Sequence, residues 1–298
     1  MTVPNKLFKY ASASTARIVL DSGRLRWSSP NIFNDLAEFQ RLPTFDPPLK
    51  KSIADLQELI VAAAVGTRDL EIERLAAPTR LAYELIKQGI ANGIDPKVFL
   101  DNPEEDRPLD QIYHQALRVH FGENFTKHAR VLSLTENPVN AVMWAHYGDT
   151  HTGLVLGFRH LPDQDTPLQV AKRVSYFRDA PSIGSGLDFL LYGDSEETRK
   201  LTIDHICFSK RVEWQYEEEW RAITWRPDEG DALFGDYPFL PGELESVTFG
   251  SKVSASTVGD VTQLVRGKYP ACSLYQVHSE HGDLLRVSLA DHADELSR

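Results

Sequence analysis

Cysteine is scarce in this sequence, and the two cysteines that it has are far apart. Cys207 and Cys272 are the only ones among 298 residues, and they form no Cys-x-x-Cys motif. This usage excludes a disulfide-rich secreted scaffold, and the spacing is not that of a common zinc site. We therefore expect a reducing compartment, and hence a cytoplasmic location.

Long apolar runs and an excess of basic residues are also missing. No apolar run approaches the roughly 18 residues of a membrane span, and Met1 to Lys6 lack the apolar core of a signal peptide. With 32 basic against 43 acidic residues, the formal net charge is -11. Without an apolar run of that length we expect no membrane partner. Because such an acidic surface repels phosphate backbones, we also expect no non-specific nucleic-acid binding.

Strand-like segments lie towards both ends of the chain, and a helical block lies between them. Leu154, Leu156 and Phe158 alternate with their neighbours, which indicates a strand. From Asp46 to His128 the apolar residues recur every three or four positions, as on one face of a helix. The sequence therefore predicts an α+β fold, with residues 1–298 as one domain, a mixed or antiparallel sheet and a helical insertion at 46–128.

Two local signals predict where helices begin and end. Ser22-Gly23 ends a short helix over Ser14 to Leu20, and Asp46 before Pro47 predicts an N-cap at the start of the insertion. Further helices are predicted at Glu196–Cys207 and Val258–Tyr269, and strands at Lys6–Tyr10, Leu25–Ser28, Trp220–Trp225, Glu245–Phe249, Leu274–His278 and Leu284–Leu289.

Four clusters of polar and aromatic residues stand out. In chain order they are Phe8-Lys9-Tyr10, Trp27 to Asp35, Leu132 to Asn137 with Met143 to Gly153, and Lys210 with Trp214 to Arg221. Together they resemble the bacterial family catalogued as domain of unknown function 2971. That family has an early Lys-Tyr, a Ser-x-Pro-x-x-Phe-Asn-Asp segment, a Ser-rich strand, a Trp-x-x-Tyr and a Trp-x-Tyr-Glu-x-Glu-x-Arg. The Ser-rich strand departs from the usual Cys-Phe-Ser, since this chain has Leu132-Ser133-Leu134-Thr135.

The order of polar residues is also similar to that of ADP-ribosyltransferase-like folds. Those folds place a cationic residue or histidine on a first strand, Ser, Thr or Tyr on a later strand, and a Glu-x-Glu near the end. Lys9, Ser133-x-Thr135 and Glu217-x-Glu219 fall in that order, although Lys9 stands where arginine or histidine is usual. The resemblance implies an enzyme that uses NAD and transfers ADP-ribose.

The acidic segment suits that chemistry. In an extended chain Glu217, Glu219 and Arg221 share one face, and neighbouring carboxylates raise the pKa of one of them unless a cation offsets the repulsion. A fixed carboxylate stabilises the oxocarbenium character that develops when an N-glycosidic bond breaks. We predict Glu219 as the catalytic carboxylate, Glu217 as its acceptor-side partner and Arg221 as electrostatic support.

A nucleotide-like small molecule, with NAD as the expected cofactor, is the predicted ligand. The residues predicted to bind it are Lys9, Tyr10, Asn34, Ser133, Thr135, Trp144, Tyr147 and Lys210. No metal is expected, because the five-residue spacing of His146 and His151 is a poor match to helical metal sites, and His278 and His281 have no obvious third partner.

Several alternatives stay open. The acidic run is, by itself, more typical of a solvated surface with Arg221 in an exposed ion pair, and tryptophans are more often core residues than ligand platforms. Asn34 and Asp35 also suit a turn or a helix cap. At the level of function, the rivals are a non-catalytic module that recognises a nucleotide or a protein, and a nucleotide or glycoside hydrolase with paired carboxylates.

Overall fold

The computed structural model describes residues 3–100 and 108–289, and the predicted alternation of helices and strands is present there. The described helices are α1 (Ala13–Ser22), α2 (Ile53–Val65), α3 (Ala77–Ala91), α4 (Leu109–Phe121), α5 (Glu123–His128), α6 (Ala141–His146), α7 (Gly186–Tyr192), α8 (Glu196–Phe208) and α9 (Ala255–Lys268). The described strands are β1 (Lys6–Ala11), β2 (Arg24–Ser28), β3 (Ala129–Thr135), β4 (Leu154–Arg159), β5 (Lys172–Arg173), β6 (Ser175–Phe177), β7 (Ser209–Arg211), β8 (Glu219–Trp225), β9 (Phe234–Pro238), β10 (Leu244–Phe249), β11 (Ser273–Glu280) and β12 (Asp283–Ser288).

The chain divides into two units. The sheet unit comprises Met1–Leu36, Asn124–Tyr176 and Lys210–Arg298, and the helical unit comprises Ala37–Glu123 and Phe177–Ser209. The described residues of 46–128 supply no strand, and the strands on either side of that range pair with each other. The α+β fold with a mixed sheet is confirmed. The assignment of residues 1–298 to one domain stays a prediction.

The sheet unit contains a ten-stranded sheet in the order β12-β11-β10-β4-β1-β3-β2-β9, with β8 paired to β3 and β5. The β10–β11 pair is parallel and the other paired strands are antiparallel. Strand β3 has an unusual position. It pairs along its whole length with β8, but with β1 only at Phe8–Thr135 and with β2 only at Ser28–Val131.

Local sequence explains the first helix and the central strand. Ser12 caps α1 by accepting a hydrogen bond from the Thr15 amide, and Gly23 ends it in the left-handed conformation, as predicted. Strand β4 is buried on both faces, which suits its place between β1 and β10. Gly157 allows the strands to approach closely there, since a Cβ atom would lie 2.3 Å from Ser246 Oγ.

In the helical unit the predicted helix at the start of the insertion begins later than expected. Asp46 is not its N-cap, because a 3₁₀ turn at Lys50–Ser52 leads into α2 at Ile53. The amides of Leu49 and Lys50 are capped instead by the Asp110 carboxylate, at 3.0 Å each. A side chain about sixty positions away satisfies these donors, which is a tertiary contact that local sequence does not reveal.

No helix among the described residues is both long and apolar enough to cross a membrane.

Candidate functional site

The antiparallel pairing of β3 with β8 sets the frame of the candidate site. Ser133 lies opposite Arg221, and Thr135 lies opposite Glu219. Leu134 lies between Ser133 and Thr135 on β3, and Trp220 lies between Glu219 and Arg221 on β8. Both belong to the main hydrophobic core. The alternation of β-strands therefore buries the apolar side chains on one face and collects the polar ones on the other.

Glu217 does not continue strand β8, which corrects the extended conformation predicted for this segment. Residues Val212–Glu217 form a 3₁₀ helix, and Glu218 adopts a left-handed conformation with φ of 44° before the strand begins at Glu219. That turn replaces simple alternation as the reason why two acidic side chains meet. Both carboxylates contact Lys210.

The two glutamates form a buried charge cluster with Lys210 and Arg221. Lys210 Nζ donates to Glu217 Oε2 at 2.6 Å and to Glu219 Oε2 at 3.5 Å. Arg221 binds Glu219 through two bonds, from Nε to Oε1 at 2.7 Å and from Nη2 to Oε2 at 2.8 Å. All four side chains are at most 6% exposed. The solvated acidic run with an exposed ion pair is therefore wrong for Glu217, Glu219 and Arg221.

Burial shifts the titration of this cluster. It raises the pKa of Glu219 to about 7; the positive charge of Lys210 and a hydrogen bond from Ser133 lower that pKa, and the negative charge of Glu217 adds to the rise. A carboxyl group whose pKa approaches neutrality is common among catalytic acids and bases. Arg221 holds the same carboxylate in a fixed orientation through its two parallel bonds.

The cations of the cluster stay protonated at neutral pH. Burial alone lowers the pKa of Lys210, but the charges of Glu219 and Glu217 outweigh it and leave that pKa raised. Burial lowers the pKa of Arg221 to about 9, while the charge of Asp35 acts in the opposite direction. The cluster thus combines two acidic groups with two permanent donors.

A chain of hydrogen bonds leads outwards from Glu217. Tyr147 Oη donates to Glu217 Oε1 at 2.7 Å, and Asn34 Nδ2 donates to the same phenol oxygen at 2.9 Å. Burial and the bond to Glu217 raise the pKa of Tyr147, so the phenol keeps its proton. Asn34 is exposed and Tyr147 is half-buried. The predicted residues Asn34, Tyr147 and Lys210 are therefore brought together with Glu217.

Lys9 also reaches this place, although it contacts β3 through the backbone. Its Nζ donates to the carbonyl oxygen of Ser133 at 2.9 Å, where β1 and β3 no longer pair as strands. Burial lowers the pKa of Lys9, and the charges of Glu219 and Glu217 offset this effect only in part. Lys9, Ser133 and Glu219 thus converge from three strands.

Tyr10, Thr135 and Trp144 support the site from behind. Trp144 is fully buried, donates from Nε1 to the Pro138 carbonyl at 3.0 Å and packs edge-on against Tyr10. Tyr10 donates to the Asn137 carbonyl at 2.9 Å, and Thr135 Oγ1 accepts from the Asn137 amide at 3.2 Å. Because the Tyr10 and Trp144 rings are buried in the core, we interpret them as structural support for the site and not as ligand contacts.

Comparison with known proteins gives one family. Residues 143–222 match the model of the family described as protein of unknown function, DUF2971. The predicted resemblance to this family is confirmed over these residues, which include Trp144, Tyr147 and the whole buried charge cluster. The similarity to ADP-ribosyltransferase-like folds stays a prediction. No curated protein and no solved structure gives a significant match.

Sequence reasoning assigned no role at the site to several residues within the matched segment 143–222. Tyr176 Oη accepts a hydrogen bond from the Glu219 amide at 2.8 Å, and Lys210 Nζ lies 4.8 Å from the centre of the Trp214 ring. The bond between Tyr216 Oη and His146 Nδ1, at 3.1 Å, was not expected either. Trp214 and Tyr216 stand directly before the acidic pair in sequence, and that position was the available signal.

Among the described residues, no group of three or more histidine, cysteine, aspartate or glutamate side chains is arranged to hold a metal ion.

Proposed function

We propose that this protein is an enzyme that cleaves the N-glycosidic bond of a nicotinamide nucleotide and transfers the ADP-ribosyl group. One observation carries the proposal: Lys9, Ser133 and Glu219 converge from β1, β3 and β8, beside a second buried carboxylate. This is the set of groups that the ADP-ribosyltransferase-like order of the sequence implies.

The chemistry assigned to each group follows from charge. The bond between ribose C1′ and the nicotinamide nitrogen breaks, and nicotinamide leaves with the electron pair. Positive charge develops on the ribose, where the carboxylate form of Glu219, held in place by Arg221, stabilises it. An acceptor then bonds to C1′, and its proton passes to Glu217. Lys9, whose Nζ donates one hydrogen bond to the Ser133 carbonyl, offers a further donor to the substrate's phosphates.

NAD consumption by the purified protein tests this proposal. We expect loss of NAD with release of nicotinamide, and mass spectrometry of the products shows whether ADP-ribose is transferred to an acceptor or to water. Lys9→Met should reduce the rate at least tenfold. Lys6→Met is the matched control, since Lys6 lies on the same strand but pairs with Glu245 near the surface. Folded protein that leaves NAD intact would refute the proposal.

A second candidate is a non-catalytic recognition module. It is favoured by the two hydrogen bonds between Arg221 and Glu219, which resemble those of a completed structural ion pair. Such a module would bind a nucleotide, and the bound nucleotide would stabilise the folded state. At a nucleotide concentration one hundred times the dissociation constant the gain is about 2.7 kcal/mol, which raises the melting temperature. Binding without turnover would support it over the enzyme.

A further inference from the structure

Four aromatic side chains form a half-exposed surface beside the charge cluster. We call His146, Tyr147, Trp214 and Tyr216 the aromatic rim; His146 is exposed and the other three are half-buried. The ring centres of His146 and Tyr216 are 5.8 Å apart, those of His146 and Tyr147 6.2 Å, and those of Trp214 and Tyr216 6.1 Å. Neighbouring rings therefore contact one another, two pairs of them edge-on and the third tilted.

Two structural elements hold this surface in place. His146 and Tyr147 lie at the end of α6, and Trp214 and Tyr216 lie in the 3₁₀ helix Val212–Glu217. Asn140 caps α6 and also donates from Nδ2 to the Tyr216 carbonyl at 2.9 Å, which ties the two elements together. The rim is thus built before any ligand arrives.

Partial exposure separates these rings from the structural aromatics of the same unit. Trp27, Trp144 and Trp220 are 6%, 0% and 4% exposed, as expected for core residues. Clustered aromatic surface that stays open to water is typical of binding sites, because a planar ligand buries it at little entropic cost.

The rim adjoins the proposed reacting groups. Lys210 Nζ lies 4.8 Å from the Trp214 ring centre and 2.6 Å from Glu217 Oε2. Tyr147, a member of the rim, donates a hydrogen bond from Oη to Glu217 Oε1 at 2.7 Å. A ring seated on this surface is therefore next to Glu217 and to Lys210, which also contacts Glu219 at 3.5 Å.

We propose that the aromatic rim binds the nicotinamide ring of the substrate, an inference that rests on the proposed function. In NAD the nicotinamide ring is attached directly to the ribose carbon whose bond breaks, whereas the adenine ring lies beyond two phosphates and a second ribose. The ring beside the carboxylates must therefore be the nicotinamide. Stacking of one base on an aromatic side chain contributes about 1–3 kcal/mol.

Direct binding of substrate fragments tests the inference without turnover. Isothermal titration of nicotinamide mononucleotide, AMP and ribose 5-phosphate compares the leaving ring, the adenine ring and no ring. We expect the mononucleotide to bind most tightly, and Trp214→Leu to weaken it by about 10- to 100-fold. Trp225→Leu is the matched control, since Trp225 is 44% exposed in β8 outside the rim, and it should leave affinity unchanged.

Three results would overturn the inference: equal effects of the two tryptophan variants, tighter binding of AMP than of the mononucleotide, or equal binding of ribose 5-phosphate. If Trp214→Leu does not fold, Tyr216→Leu makes the same comparison. Consumption of NAD without Trp214-dependent binding of the mononucleotide would refute the role of the aromatic rim and support the proposed activity. Trp214-dependent binding without consumption of NAD would support the rim as a binding site and refute the proposed activity.

Discussion

Replacing Glu219 by glutamine separates chemistry from structure at the centre of the site. The change keeps the shape of the side chain and removes its charge. Arg221, which is fully buried, then faces a carbonyl oxygen and an amide group in place of two carboxylate oxygens. The glutamine NH₂ and the guanidinium N–H are both hydrogen-bond donors, so the NH₂ group cannot accept the second bond from Arg221. Lys210 also loses one of its two acidic neighbours.

The expected loss of stability follows from that geometry. Leaving a buried charge without its partner costs about 3–5 kcal/mol, a large part of the about 5–15 kcal/mol of a typical domain. Catalysis by Glu219 adds a separate effect, a fall in turnover of about 10²–10³ per folded molecule, as for loss of one preorganised electrostatic group. Urea unfolding and NAD consumption, both corrected for the folded fraction, measure the two effects.

Two further variants sharpen the interpretation. Glu213→Gln is the control, because Glu213 pairs with Arg211 on the surface, where both side chains are more than half exposed; we expect no measurable change. In a double-mutant cycle with Arg221→Met, the combined loss should be smaller than the sum of the single losses. If Glu219→Gln keeps full stability, the structural ion pair is refuted, and if it keeps full turnover, Glu219 is not catalytic.

Three other substitutions test separate contacts by urea unfolding. Tyr147→Phe removes a donor to Glu217 and should cost about 1–3 kcal/mol; no loss would show that the bond is not formed in solution. Gly157→Ala places a methyl group 2.3 Å from Ser246 Oγ and should cost about 1–3 kcal/mol; a stabilised variant would contradict the close approach. Burial lowers the pKa of His205 from 6.5 to about 4, so the unfolded chain binds more protons between these values and stability falls as the pH falls. Between pH 7 and pH 5 the loss is about 2 kcal/mol, and it should be absent in His205→Leu.

Periodicity predicted the elements well, because it reports burial along one segment. Strand β1 and helix α1 begin and end within two residues of their predicted positions, and the Gly23 cap was read directly from the sequence. Asp46 misled the prediction, since the Asp110 carboxylate serves as the cap for the amides at Leu49 and Lys50. Contacts between segments distant in sequence leave no periodic signal.

The candidate site shows the same division. The convergence of Glu217 and Glu219 was predicted, but its cause was not, because the left-handed Glu218 turn is unusual for a residue other than glycine. The alternative that paired Arg221 with an acidic partner placed the ion pair on the surface, whereas the structure buries it. The burial of Trp144 was foreseen as an alternative. Tyr176 gave no signal, since a phenol that accepts a backbone amide has no sequence pattern of its own.

The position of β3 has a consequence for how the sheet unit unfolds. Full pairing joins β3 to β8, whereas single residue pairs join it to β1 and β2. Strand pairing is therefore sparser between β3 and its neighbours β1 and β2 than between β3 and β8. The Lys9 side chain bridges β1 and β3 by donating to the Ser133 carbonyl. Native-state opening divides proteins into cooperative segments. We therefore expect the β3–β8 ladder, with the charge cluster on its polar face, to open separately from the paired strands β1, β4 and β10. Their amide protons should then exchange with different free energies.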